Sequence, residues 1–211
     1  MAKKKIKKKE NKKKNYFQQE TELAWKYIKE SKNYIAVVSG IFILLFLIGF
    51  SFPYLAPPEL LNPLLEQVKT WVEELMKETA GKGFIEMWAF IFFNNTYIAL
   101  ISLFGGILLG VIPIFLLISN GLVIGLISSI VAKDVGLFSL WRLFPHGIFE
   151  IPAIILSFAL GIKLAGFIFK KNFKKEFRVL LKESTRAFIF IIVPLLVLAA
   201  IIEAVLIIYV G

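Results

Sequence analysis

The sequence predicts an all-α, polytopic integral membrane helix bundle with about five spans, broken or re-entrant helices and one external amphipathic helix. Three observations carry that reading. Of the 211 residues 58% are hydrophobic, and the mean hydropathy is +0.76, more apolar surface than a soluble domain of this size needs but what a bilayer demands. Residues 87–132 run for 46 positions without one charge. The basic residues, finally, fall in two clusters. Residues 1–34 hold 12 Lys against 4 Glu and residues 170–186 hold 7 Lys or Arg against 2 Glu, whereas 53–83 hold 3 Lys against 5 Glu.

That distribution sets the expected topology. Basic loops stay on the cytoplasmic side, where anionic headgroups attract them. The amino terminus is therefore expected in the cytoplasm, 53–83 outside, 170–186 inside and the carboxyl terminus external, in a multi-pass protein of the cell membrane. The net charge of +10 is read as anchoring and topology signalling, with no nucleic-acid partner. The chain has no cysteine, so a disulfide framework or thiolate metal site is excluded.

The elements follow in order. Residues 1–32 form a basic cytoplasmic tail with an interfacial helix: lysine repeats at 2–14, predicted disordered, then Phe17, Leu23, Ala24, Tyr27 and Ile28 at helical spacing. Residues 33–211 form the transmembrane domain. The first span lies near 34–52, closed by Pro53, Pro57 and Pro58. Asn62 and Pro63 look like a helix start, opening an external amphipathic helix at 62–80. Leu64, Leu65, Val68, Trp71, Val72, Leu75 and Met76 line its apolar stripe.

As one helix the run 87–132 would be about 70 Å long, over twice the hydrocarbon thickness, so it must fold back. Asn94-Asn95 and Asn120-Gly121 are the expected breaks. They give an interfacial or re-entrant start at 84–95, a span at 96–118 and a returning half-helix at 120–133. An irregular connection at 134–149 and spans near 150–170 and 187–210 complete the chain.

The candidate binding residues are His146, Glu150, Asn94, Asn95, Asn120 and Glu203. His146 and Glu150 are four apart and stack on one helical face. Pro145 suits that helix's first turn, and Pro152 kinks it by leaving the carbonyl of Ile148 unpaired. A structural His–Glu hydrogen bond, a gating or proton-sensing pair, and a metal site all fit. His146 and Glu150 fill only two metal positions, so no cofactor is expected, with zinc the one metal reading. The asparagines either cap helices at the breaks or meet a ligand. Glu203 is expected to pair with an Arg142- or His146-type group or to face water. Lys163 is near enough to its end of the span to snorkel. Gly105, Gly106, Gly110, Gly121 and Gly125 make small-residue faces for helix packing.

Residues 94–153 resemble the stage II sporulation protein M family. The likeness runs through Asn94-Asn95, Gly105-Gly106, Gly110, Pro113, Asn120-Gly121 and Gly125. It ends on the string Pro145-His146-Gly147-Ile148-Phe149-Glu150-Ile151-Pro152-Ala153 and continues to Gly161 and Gly166. The resemblance implies a five-span protein with its amino terminus inside. The family's namesake scaffolds peptidoglycan-degrading partners during engulfment. The Lys-, Ile- and Glu-rich, cysteine-free composition resembles that of a thermophilic archaeon, so the fold is carried over and the engulfment role is not.

No catalytic motif is present: there is no Walker loop, no G-x-S-x-G, no H-E-x-x-H, and one histidine in all. The expected function is a non-enzymatic membrane scaffold that organises membrane or cell-envelope protein partners within the lipid bilayer, as a homodimer. The alternative is a transporter or channel for a small solute, ion or lipid, built on the broken helices and the His146/Glu150 pair.

Overall fold

The computed structural model describes residues 15–136, 138 and 144–209, without the side chains of 134, 135 and 144–146. Among these residues the regular structure is helical. The elements are α1 (Tyr16–Glu30), α2 (Lys32–Leu55), α3 (Pro58–Thr79), α4 (Phe84–Gly105), α5 (Val111–Val135), α6 (Phe144–Ala165), α7 (Phe173–Ala187) and α8 (Val193–Tyr209). Five stretches are long and apolar enough to cross a membrane: Lys32–Leu55, Phe84–Gly105, Val111–Lys133, Gly147–Phe169 and Phe173–Tyr209. In the last, charged α7 leads through a π-helical turn at Phe188–Ile192 into apolar α8.

Local chemistry fixes the ends. Asn15 caps α1 by accepting from the Gln18 N–H (2.8 Å), while the Gln18 side chain accepts from the Asn15 N–H, which satisfies two orphan donors at once. Glu86 accepts from the Gly83 N–H at 2.9 Å to open α4. At the end of α2, Pro57 has no N–H to offer the carbonyl of Pro53. The Nζ of Lys133 takes that acceptor instead, at 2.6 Å, and lies 4.1 Å from the Tyr54 ring centroid.

Helix α6 is the centre of the bundle. It packs with α4 and α8 as a trio on one side and against the α2–α5 pair on the other. Leu103, Ala153, Leu160 and Leu196 fill the trio, and Val38, Phe42, Leu117 and Phe158 fill the second core. Phe158, Leu160 and Leu103 are fully buried, whereas α2 and α5 turn rows such as Ile43, Leu44, Leu47 and Phe115 outward, as a surface solvated by lipid requires. Helices α1 and α7 pack on each other at one end of the bundle. Helix α3 emerges at the opposite end, buries none of its residues and makes at most isolated contacts with other helices.

Several boundaries differ from the sequence reading. The long uncharged run does fold back, but at residues 106–110 and not at either asparagine. Helix α4 passes through Asn94-Asn95 unbroken, so 84–95 is neither re-entrant nor separate, and α5 passes through Asn120-Gly121. The turn goes where two glycines and a left-handed backbone permit it, with Gly110 at φ +77° and Leu109 at φ +57°. Asparagine is a weaker breaker once its amide bonds back to its own helix, as Asn120 Nδ2 does to the Leu116 carbonyl at 2.9 Å. The half-helix expected at 120–133 is thus the second part of a full-length span.

Helix α3 begins at Pro58, in its first turn after Pro57, and carries Pro63 inside; the earlier proline is the start signal. Residues 173–187 are helical where the basic segment was read as a loop, and α6 already begins at Phe144 within the connection expected at 134–149. The lysine repeats at 2–14 lie outside the described residues.

Candidate functional site

The site grows out of the close approach of α4 and α6. A Cβ on Gly106 would fall on the Gly161 carbonyl, and a Cβ on Gly161 on the Ser102 carbonyl. Only glycine lets these backbones meet. The two helices run the same way, so eleven residues back along each from Gly106 and Gly161 stand Asn95 and Glu150, at one level. Helix α8 runs the other way. Its register is set by ring contacts between Phe104 and Phe188 (6.3 Å) and between Phe84 and Tyr209 (6.5 Å). Asn95 therefore lies opposite the turn of α8 that precedes Glu203.

Three elements thus bring Asn95, Glu150 and Glu203 to the α3-proximal half of the trio. Asn95 is buried, both glutamates are half-buried, and Glu203 is near enough for the charge of Glu150 to act on it. Among the described residues neither carboxylate has a hydrogen-bond or ion-pair partner. A carboxylate in such a place needs a proton, a cation or a donor beside it. The expected pairing of Glu203 with Arg142 or His146 falls on side chains outside the described residues; the neighbour the structure gives it is Glu150. His146 stands in the first turn of α6 beside Pro145, but its side chain too lies outside the described residues, and with it the His146–Glu150 pairing. No three metal-ligating side chains come together among the described residues. Pro152 lies inside α6.

The other asparagines go elsewhere. Asn94, next to Asn95, faces out of the bundle and donates to the Asn95 Oδ1 at 3.4 Å. Asn120 is half-buried on α5, bonded within its helix. Gly121 and Gly125 receive α2, against Leu45 and the carbonyls of Phe42 and Phe46. Gly105 touches Ile112 of the next helix. Gly106 and Gly110 do not share a helix face, because Gly110 belongs to the turn.

A second polar group, at the α1/α7 end, escapes sequence reasoning. Lys163 Nζ donates to Ser31 Oγ (2.8 Å), Ser31 Oγ donates to the Tyr27 carbonyl (2.7 Å), and the Tyr27 hydroxyl meets Ser184 Oγ (3.1 Å). Burial pushes the Tyr27 phenol up to about 12. Beside it Arg186 joins Glu20 (2.5 Å) and Glu183, linking α1 to α7. Lys163 thus reaches a built pocket where snorkelling to water was expected. A lysine within an apolar span was the only signal, since its partners Tyr27 and Ser31 lie more than a hundred residues away, at the end of α1.

Residues 35–206 match the model of a protein family described as stage II sporulation protein M. No curated protein and no solved structure matches the chain.

Proposed function

This chain belongs to the stage II sporulation protein M family, and from that premise we propose that it is a non-enzymatic scaffold of the cell membrane that holds partner proteins through α3. The carrying observation is an amphipathic helix that stands away from its own bundle. Leu64, Leu65, Val68 and Leu75 are half-buried and none is fully buried, whereas Trp71, Val72 and Met76 are exposed, and large apolar side chains left uncovered on a structured helix mark an interaction surface. Glu59, Glu66, Glu73, Glu74 and Glu78 lie along the same helix, which gives it a polar back. In this reading α1 and the basic α7 form a platform in the cytoplasm, and α3 and the carboxyl end face outward. The well-filled cores around α6 support a rigid holder over a channel.

Trp71→Glu tests the reading. An aromatic anchor commonly contributes about 2 kcal/mol or more to an interface. The variant should lose most partner capture from solubilised membranes while its bundle melts as the wild type does. Unchanged capture would reduce α3 to a spacer.

A further inference from the structure

We propose that the outward face of α4 pairs with α4 of a second copy of this chain, about a two-fold axis passing beside Asn94. The face is polar at a depth where polarity is costly. Asn94 lies midway along an apolar span and is exposed, as are Phe93 at 66% and Tyr97 at 65%. Together with Phe90, Thr96 and Leu100 they line a concavity of about 550 Å³. None of the six is charged.

Two polar groups there are left short of partners. Asn94 makes one long bond, 3.4 Å to Asn95, which leaves its carbonyl and a second N–H unused. Among the described residues the Tyr97 hydroxyl makes no hydrogen bond. Acyl chains cannot satisfy such groups, and each costs free energy in hydrocarbon.

A second copy can satisfy them. A carboxamide carries a donor and an acceptor, so two identical amides related by a two-fold axis each donate to the other. The hydroxyl of Tyr97 is likewise both donor and acceptor. The lining residues carry no charge, and the Lys82 Nζ lies 5.2 Å from the Phe90 ring centroid, toward the start of α4. The rings of Phe90, Phe93 and Tyr97 wall the concavity, leaving room for the neighbour's rings beside the amides. The inference goes beyond the scaffold reading and does not depend on α3, which takes no part in this face.

The chain contains no cysteine, so single cysteines report proximity cleanly. In liposomes, full-length chains with Cys at 93 or at 100, which line the concavity without supplying its polar groups, should form a disulfide-linked dimer on mild oxidation. Cys at 115, equally exposed on α5, should not. Counting fluorophores per spot across a dilution series should give a dimer whose association falls about tenfold in Asn94→Leu, with an unchanged melting curve. Three results would overturn the proposal: monomers at every dilution, cross-linking at 115 as strong as at 93, or an Asn94→Leu dimer as tight as the wild type. Cross-linking in native membranes to a different protein in place of a second copy would overturn it as well.

Discussion

The ammonium of Lys163 lies 3.8 Å from the ring centroid of Tyr27 while it donates to Ser31, one turn further along the chain, at 2.8 Å. A charge in a membrane span is thereby held by an aromatic face and a hydroxyl, both supplied by the start of the chain. This contact fastens α1 to the central helix, and the Tyr27–Ser184 bond extends the tie to α7.

Alkaline sensitivity follows from Tyr27. Its phenol is pushed up to about 12, above the ordinary value near 10. The neutral form is the one the fold accepts. The contribution of Tyr27 is thus fully present below pH 10 and is lost as pH rises from 10 through 12, a change on the order of 2–3 kcal/mol. Tyr27→Phe should cost about 1 kcal/mol at pH 8, by losing the bond to Ser184, and then lose less than the wild type between pH 10 and 12. Thermal melts in detergent at three pH values test this; parallel losses would show that Tyr27 is not the titrating group.

The carboxylates of Glu150 and Glu203 should be coupled. Each lacks a partner among the described residues, and the charge of one acts on the other. Glu150→Gln and Glu203→Gln should each raise the melting temperature, and the double variant should gain clearly less than the sum. The same cycle with zinc, with His146→Ala added, assigns a metal role only where zinc stabilises the wild type and neither Glu150→Gln nor His146→Ala. Additive effects would mean that the two glutamates do not interact.

Glycine contacts predict a sharp contrast in tolerance. Gly106→Ala and Gly161→Ala each place a methyl on a backbone carbonyl that cannot swing aside, and overpacking of this kind costs about 1–3 kcal/mol. Gly40→Ala meets nothing within 4 Å and should be neutral or stabilising. Equal melting of all three would remove the close approach of α4 and α6.

Topology is open to a direct measurement. With positive charge concentrated at 1–34 and 170–186, a cysteine at Lys175 should be hidden from an impermeant thiol reagent in right-side-out vesicles. One at Glu74 should be labelled. The opposite pattern would invert the protein.

The sequence by itself determined the class and the number of spans. Those properties depend on run length, charge and local chemistry, which need no distant partner. Periodicity also exposed α1 and α3 as amphipathic helices, and the outline of α6 around Pro145 and Pro152 was legible because proline acts on its own neighbourhood. Only the tertiary structure decided where the uncharged run turns. An asparagine satisfied within its helix cannot break it, whereas the 106–110 segment can turn because Gly110 takes a left-handed backbone and Gly106 lets α4 lie against α6 at Gly161. It alone brought Glu203 to the same half of the trio as Glu150, Lys163 under Tyr27 and Asn94 to the outside. Such placements follow from which helix faces meet, and that depends on glycines in helices far apart along the chain.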